Sequence, residues 1–350
     1  MLIDLDFCRR IVLTIMSNTE LCQQHTGIQL KVPQDQPISD QSLSEYGRLI
    51  KFDDKFLKQA NDVCKKVCDA LKNSEIKPQR FSLSESHVCQ KGKDDTGVDI
   101  VAFLAESGNQ DQAKTAYQAM AEKLGAQKVS RDEKGVIHFD LDGVRVNLGV
   151  AVSRGASVGE HRKVLFQQIS KMDKEGKLQK KQIEKVSVDL HDSTSEFMQQ
   201  NKDEFDLTAQ RLARAWRRTA LGSGSEWFSP LDSMLVMQNT IRKERQRGQP
   251  AMKSVIRSFL NDMSNIGSMN LSFRDQSLYD WSMVPQWVQE ERPLLLDPVN
   301  PWRNSFSGVH QNTFLEIQKA AQEALKMFED NSSTMKDLFN VSSESHTRGA

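Results

Sequence analysis

The sequence predicts an α+β protein, with an N-terminal lobe built on a mixed β-sheet and a mostly helical C-terminal lobe. Apolar and polar residues alternate over 137–142 and 144–148, and the Asp142-Gly143 pair between them is typical of a β-hairpin. Beyond about residue 155, apolar residues recur at helical spacing and strand patterns nearly disappear. A chain of 350 residues is long enough for two closely packed lobes.

Changes in composition divide the chain into four segments. Residues 1–45 are interpreted as an N-terminal arm or linker, because their last part is polar and contains two prolines. Residues 46–155 are predicted to form the α/β lobe, and residues 156–330 the helical lobe. Residues 331–350 are rich in serine and small polar residues, which predicts a disordered tail.

Periodicity predicts the individual elements of both lobes. In the first lobe a long amphipathic helix is predicted from Phe52 to Asn73, strands are predicted to begin at Phe81 and Val98, and a helix is predicted over 111–124. In the second lobe, helices are predicted over 163–172, 205–219, 230–247, 252–265 and 313–328.

The composition excludes several classes of protein. The 47 basic residues balance the 47 acidic residues, so any site for a polyanion must be a local patch. No segment has the ~18 apolar residues that span a bilayer, so we expect no membrane association. The five cysteines are scattered and odd in number, which favours a reducing compartment and predicts a cytoplasmic protein.

The segment 92–99 runs into the apolar strand 100–104 and resembles a polymerase-type nucleotidyltransferase site. Such a site needs two carboxylates two residues apart on one strand and a third on a neighbouring strand, because together they hold two Mg²⁺ ions. Here Asp99 is the one carboxylate retained at these three positions and is a candidate metal ligand. Gly97 and Asn147 occupy the positions expected for the other two. Mg²⁺ is therefore expected as a cofactor only if the protein is active.

Four segments resemble, in the same order, segments of the 2′-5′-oligoadenylate synthetase family, which belongs to a wider group that includes cyclic GMP-AMP synthase. They are 92–104, 144–150, 211–216 and 292–301, and the last, Arg-Pro-Leu-Leu-Leu-Asp-Pro-Val-Asn-Pro, is the most specific. The resemblance implies a polymerase-beta-like nucleotidyltransferase lobe and a helical oligoadenylate-synthetase-like lobe. It also implies ATP as substrate, double-stranded RNA as activator, and a role in innate antiviral responses.

The resemblance also places a nucleotide-binding site, from which this sequence departs. A Gly-Ser pair holds the triphosphate in the family; here Ser86 matches the serine, while Glu85 brings a negative charge. Lys202 matches a basic residue that holds the donor phosphates, but Phe205 occupies the next basic position. Ser86 and Lys202 are therefore the candidate contacts to ATP.

Two segments carry the local positive charge that double-stranded RNA would require. Residues 51–80 hold eight basic and five acidic residues, and residues 161–185 hold eight and three. Ordinary solvated helix faces with ion pairs are the alternative. The candidate RNA contacts are Lys55, Lys58, Lys65, Lys66, Lys177, Lys180 and Lys181.

A cluster of aromatic residues gives a further candidate contact to a nucleotide. Tyr279, Trp281 and Trp287 could stack on an adenine, because every base offers a flat face to an aromatic ring. The alternative is that they pack the seam between helices.

Three functions follow from these patterns. The first is a catalytically inactive relative of the synthetases that acts as an RNA-binding or protein-interaction module. The second is an active enzyme that makes oligoadenylates from ATP, using Asp99 together with Asp94 or Asp95 as metal ligands. The third is a scaffold or the partner of an active homologue in a heterodimer.

Overall fold

The computed structural model describes residues 35–339 of the chain, except for 51–53, 87–96, 133–134, 156, 201, 222–227 and 331. The α-helices of this part are α1 (Asp40–Leu49), α2 (Asp54–Lys72), α3 (Gln110–Lys123), α4 (Val158–Lys174), α5 (Lys180–Asp189), α6 (His191–Gln199), α7 (Glu204–Leu221), α8 (Pro230–Arg247), α9 (Met252–Ser264), α10 (Gln286–Glu290), α11 (Gln311–Glu329) and α12 (Met335–Phe339). The strands are β1 (Arg80–Ser86), β2 (Gly97–Leu104), β3 (Gln127–Arg131), β4 (Ile137–Leu141), β5 (Val144–Val152), β6 (Asn270–Leu271) and β7 (Leu294–Leu295). None of the described helices is long and apolar enough to cross a bilayer.

The N-terminal lobe is built on a mixed five-stranded sheet in the order β1-β2-β5-β4-β3. Strands β2 and β5 run parallel, and every other neighbouring pair is antiparallel. The predicted hairpin is present between β4 and β5, and its turn has positive φ angles at Asp142 (50°) and Gly143 (77°). Positive φ at both central residues is what a two-residue hairpin turn requires. The sheet and the helices around it confirm the predicted α+β class.

The two faces of this sheet differ in chemistry. On one face, Val98 and Ile100 of β2 and Val146 and Leu148 of β5 are buried in one apolar cluster with residues of α2 and α3. Side chains alternate along a strand, so the intervening residues point to the opposite face. Part of that opposite face is also apolar, because Val101, Phe103 and Ala151 pack against Val188 of α5. The remainder of the face is polar.

Aromatic residues form much of the core of the helical lobe. The rings of Trp216 on α7 and Phe259 on α9 meet edge to face, with centroids 5.6 Å apart. Trp302, which is fully buried, meets Phe166 of α4 in the same way at 5.7 Å. Such pairs add about 0.5–1.5 kcal/mol beyond the area that they bury.

Both ends of the described chain lie within the helical lobe. Helix α1 contacts α7 and α9, and the Asp40 carboxylate accepts the Lys253 backbone N–H at 2.7 Å. The Met335 backbone N–H donates to the Gln36 carbonyl at 3.0 Å, and the rings of Tyr46 and Phe339 lie 4.7 Å apart. The two ends of the described part therefore pack against each other as well as against the helices.

This arrangement differs from two sequence-based interpretations. Residues 40–45, which the sequence placed in the arm, belong to helix α1, and residues 335–339 of the predicted tail form helix α12. Each segment is short and buries only a few apolar side chains, so its own periodicity is weak. Both are ordered by contacts across almost the whole length of the chain.

Candidate functional site

The candidate site is a row of polar side chains that crosses the sheet. Asp99 on β2 is the register partner of Asn147 on β5, and Asn147 is the partner of His138 on β4. Residues paired in this way present their side chains side by side on one face. The face is the one opposite the apolar cluster, because the flanking residues of each strand point into that cluster.

Hydrogen bonds connect these side chains into one network. The Asn147 amide donates from Nδ2 to Asp99 Oδ1 at 2.7 Å, and its Oδ1 lies 2.8 Å from His138 Nδ1. Only this amide orientation suits both partners, since a carboxylate accepts and the amide oxygen must then receive a proton from Nδ1. His138 Nε2 lies 3.2 Å from Asp132 Oδ2, just past the end of β3.

The hydrogen bond from Asn147 engages the Asp99 carboxylate, which a metal ion would need as a ligand. One oxygen of Asp99 accepts a bond from a neutral amide, and the amide at position 147 supplies no negative charge for Mg²⁺. Among the described residues, no group of three or more His, Cys, Asp and Glu side chains could hold a metal ion. The residues present in this row therefore do not fit a two-metal centre.

Close approach of the backbone explains the glycine beside Asp99. Gly97 pairs with Arg145 on β5, and a Cβ atom at position 97 would lie 2.8 Å from the Arg145 carbonyl oxygen. Contacts below 3.0 Å are not tolerated unless the backbone moves. An aspartate at position 97 would therefore require a local shift of β2 relative to β5.

A cation lies next to this glycine on the same face. Arg145 is two residues before Asn147, so their side chains point the same way. Arg145 Nη1 donates to Asp140 Oδ1 at 3.2 Å, and Lys128 Nζ lies 3.3 Å from Asp140 Oδ2. Two cations thus share one carboxylate, and the net positive charge of this group disfavours a divalent cation beside Gly97.

A second histidine lies beside Asp99 from the direction of the helices. His191 at the start of α6 approaches Ser82 of β1, with 2.8 Å between Nδ1 and the hydroxyl oxygen. Burial lowers the pKa of His191, and the nearby charges of Asp99 and Asp192 oppose this effect. Asp192 also pairs with Arg80 of β1. Helix α6 thus contacts β1, the strand next to Asp99.

Sequence analysis identified Asp99, Gly97 and Asn147 but missed the residues that surround them. His138 could have been found, because it lies on the outward face of a predicted hairpin strand opposite Asn147. The positions of Arg145 and His191 depend on strand register and on packing between the lobes. The sequence alone does not specify either of these.

The two predicted nucleotide contacts lie in different lobes. Ser86 ends β1 and pairs in register with Gly97. Lys202 precedes α7, and its ammonium group donates to Gln210 Oε1 at 3.2 Å. Burial lowers the pKa of Lys202 to about 8, while Asp206 opposes the shift. The alternative metal ligands Asp94 and Asp95 lie outside the described residues.

The predicted RNA-binding lysines fall into two separate groups. Helix α2 covers the apolar face of the sheet, whereas α5 packs against the opposite face. Their lysines therefore do not form one surface. Of the first group, Lys58 and Lys65 are exposed and Lys66 lies 3.1 Å from Asp142; Lys55 is on the described backbone of α2. Of the second group, Lys180 and Lys181 are exposed and Lys177 lies 2.8 Å from Glu175.

Comparison with known proteins identifies similar structures but no similar sequences. No family model matches the sequence, and no curated protein matches it. CdnC of E. coli MS115-1, in a complex with HORMA-deltaN, superposes with a TM-score of 0.61 at 11% identity, over 87% of this chain and 98% of that chain. The same protein with ATP gives 0.60 at 13% identity, over 86% and 98%. The Cid1 poly(U) polymerase with Mg and 3′-dATP gives 0.56 at 13% identity, over 86% and 98%.

The chain has a nucleotidyltransferase fold. The similarity covers both lobes, since it extends over 86% or more of this chain and nearly all of each neighbour. Identities of 11–13% show the fold alone, so the oligoadenylate synthetase family stays a prediction from the sequence. Asp99 and Asn147 lie on neighbouring strands, β2 and β5, and their role as metal-ligand positions stays a prediction from the sequence.

The substitution Asn147→Asp should create a response to divalent cations. The variant loses the 2.7 Å hydrogen bond from Asn147 to Asp99 and places two carboxylates side by side. Without metal, we therefore expect the free energy of unfolding to fall by about 1.5–3 kcal/mol. Because a cation can bind between the two carboxylates, millimolar Mg²⁺ or Mn²⁺ should restore part of this loss. Thermal unfolding with and without metal measures the effect. Asn147→Ala is the control, since it loses the bond but adds no charge. Equal stabilisation of the natural protein by metal would contradict the description of the row.

The half-buried Lys202 should make stability depend on alkaline pH. Its pKa is about 8 in the folded protein and is lowered from 10.5, so the unfolded chain binds more protons between these values. The contribution of Lys202 to stability should therefore rise with pH from about 8 to 10.5. As pH rises from 7 to 10, we expect the free energy of unfolding of the natural protein to increase relative to that of Lys202→Met. Lys181→Met, at an exposed site, should show no such shift. A difference independent of pH would contradict the assignment.

Proposed function

We propose that this protein is a nucleotidyltransferase-fold protein that has lost nucleotidyl transfer and binds double-stranded RNA. The observation that carries the first part is the bond from the Asn147 amide to Asp99, in place of a second metal-binding carboxylate. Two-metal transfer depends on carboxylates that neutralise both ions. The close approach at Gly97 and the guanidinium of Arg145 also support a site without metal.

Nucleotide binding is a separate matter from nucleotide transfer. CdnC has been solved with ATP and Cid1 with nucleotides, so both folds hold such a ligand. For this chain we propose that Ser86 and Lys202 are the contacts to an ATP that is bound but does not react. A half-buried lysine with a lowered pKa is costly to keep, and such residues are concentrated at functional sites.

The second group of lysines supports binding of RNA. Lys180 and Lys181 are exposed in the first turn of α5, a turn that contains no acidic residue. Cations are unfavourable at the N-terminus of a helix, because the helix dipole is positive there. Their position therefore has no explanation in the stability of α5. A polyanionic ligand such as the RNA backbone accounts for it.

One other function is supported by a particular observation, and a second remains an alternative from the sequence. CdnC is seen in complex with HORMA-deltaN, and the exposed Leu315 lies at a cleft of about 620 Å³ in this protein, which suits a scaffold or a heterodimer partner. Activity in the synthesis of oligoadenylates would require Asp94 or Asp95 to join Asp99. A role in innate antiviral responses is part of the proposal through the resemblance in sequence.

The loss of nucleotidyl transfer predicts no turnover of ATP. With Mg²⁺ or Mn²⁺ and long double-stranded RNA, the natural protein should release no pyrophosphate above the background of an Asp99→Asn variant. The Asn147→Asp variant should bind metal but still lack activity, since Gly97 leaves the second ligand position empty. The measurement is pyrophosphate release together with chromatography of any oligonucleotide product. RNA-dependent product from the natural protein that Asp99→Asn abolishes would refute the proposal.

Binding of RNA should depend on the lysines of α5. The double variant Lys180→Glu/Lys181→Glu should bind a blunt duplex of 20 base pairs at least about tenfold more weakly at 100 mM salt. The slope of log affinity against log salt should fall by about two, one for each lost phosphate contact. Lys58→Glu/Lys65→Glu is the matched control on the other side of the sheet. Equal losses in both variants would indicate a general effect of charge, and no loss in either would exclude the site.

A further inference from the structure

We infer that a groove along helix α4 binds a single-stranded oligonucleotide, with Trp287 stacked on one of its bases. The groove lies in the helical lobe, between α4 and the segment 278–283. It is separate from the Asp99 row, which lies on the sheet. The inference extends the proposed function, because it rests on the protein being a binder of RNA and assigns a second kind of RNA site.

The shape of the groove suits an extended ligand. Its volume is about 820 Å³, which is within the range of ligand sites in proteins. One wall is a single face of α4, since residues 163, 167, 170, 171 and 174 recur at helical spacing. From Lys163 to Lys174 this wall extends for about 16 Å, at 1.5 Å for each residue. The floor is apolar and contains Phe166, Leu278 and Met283.

The charges around the groove favour an anion. Lys163, Lys171 and Lys174 line the wall, and the described residues provide no ion pair for any of them. The acid Glu175 is neutralised by Lys177, at 2.8 Å. Asp280 of the lining accepts the Ser282 backbone N–H at 2.8 Å, and Asp173 of α4 accepts a hydrogen bond from the Trp287 indole at 3.3 Å. Three lysines free to bind phosphates thus stand along an apolar floor.

The exposed ring of Trp287 indicates which kind of anionic ligand the groove suits. It is 43% exposed, and with Leu315 it is one of two large apolar side chains that are strongly exposed in the described part of the chain. Its indole N–H donates to Asp173 Oδ1 of α4 at 3.3 Å, which holds the ring against the last turn of the helix that forms the groove wall. An exposed ring held against a helix that also carries cations is a pattern that binds unpaired bases.

The neighbouring aromatic residues do not offer the same face. The guanidinium of Arg274 lies 4.6 Å from the centre of the Trp281 ring and covers it. Tyr279 is buried, and its hydroxyl donates to the Asp297 carbonyl at 2.8 Å. Trp287 is therefore the ring of the three that a ligand can reach. Bases inside a duplex are already stacked and paired, so the geometry favours a single strand over a duplex, and the ring favours RNA over an acidic peptide.

Fluorescence anisotropy with a labelled single-stranded RNA of 12 nucleotides tests the inference on the full chain. We expect Trp287→Leu to weaken binding by about tenfold or more, because stacking on the ring is lost. Trp287→Phe keeps an aromatic face and should bind within about threefold of the natural protein. Lys163→Gln/Lys171→Gln should weaken binding and lower its dependence on salt. Thermal unfolding of each variant confirms that it is folded.

Two further probes separate this inference from the proposed function. A blunt duplex of 20 base pairs should lose affinity in Lys180→Glu/Lys181→Glu but not in Trp287→Leu. If Lys180→Glu/Lys181→Glu binds the duplex as well as the natural protein, while Trp287→Leu still weakens binding of the single strand, only the proposed duplex site is refuted. A peptide of ten glutamates should bind weakly. If it binds as tightly as the single strand, or if Trp287→Leu binds the strand as well as the natural protein, the oligonucleotide groove is refuted.

Discussion

The parallel pairing of β2 with β5 is the constraint on which the rest of this structure depends. It places Asp99 directly beside Asn147 and brings the backbone of Gly97 against the carbonyl oxygen of Arg145. The same pairing sends the intervening apolar side chains into the cluster beneath α2 and α3. Because the two faces are packed independently, the polar face can change its chemistry while the apolar face preserves the fold. The register of this one pair thus sets both the core and the candidate site.

The polar face carries the strands on which the sequence motif predicted a metal centre, but its side chains differ from those that such a centre needs. A two-metal centre gathers negative charge so that two cations can bind. Here an amide bridges Asp99 and His138, and the guanidinium of Arg145 adds positive charge beside Gly97. Each polar group in the row has a partner among its neighbours, which stabilises the folded state without a metal ion. Similarity of fold to CdnC and Cid1 therefore does not by itself indicate shared chemistry.

Sequence patterns predicted the elements that depend on residues close together in the chain. The turn at Asp142 and Gly143, the strand that contains Asp99 and the amide at Asn147 were all found in this way. The helices α1 and α12 were missed, since they are ordered by contacts with residues far away in sequence. The lysines of α2 and α5 appeared equivalent by composition. Only the packing of each helix against a different face of the sheet separates them.

The central claim is that the Asp99 row does not bind divalent cations, and the most direct measurement is titration of the natural protein with Mn²⁺ followed by electron paramagnetic resonance. The signal of free Mn²⁺ reports how much of the ion stays unbound. We predict that the signal at 0.1 mM protein matches that of buffer, both in the natural protein and in Asp99→Asn. Stoichiometric loss of the signal in the natural protein, absent in Asp99→Asn, would contradict the claim and restore a metal-dependent enzyme.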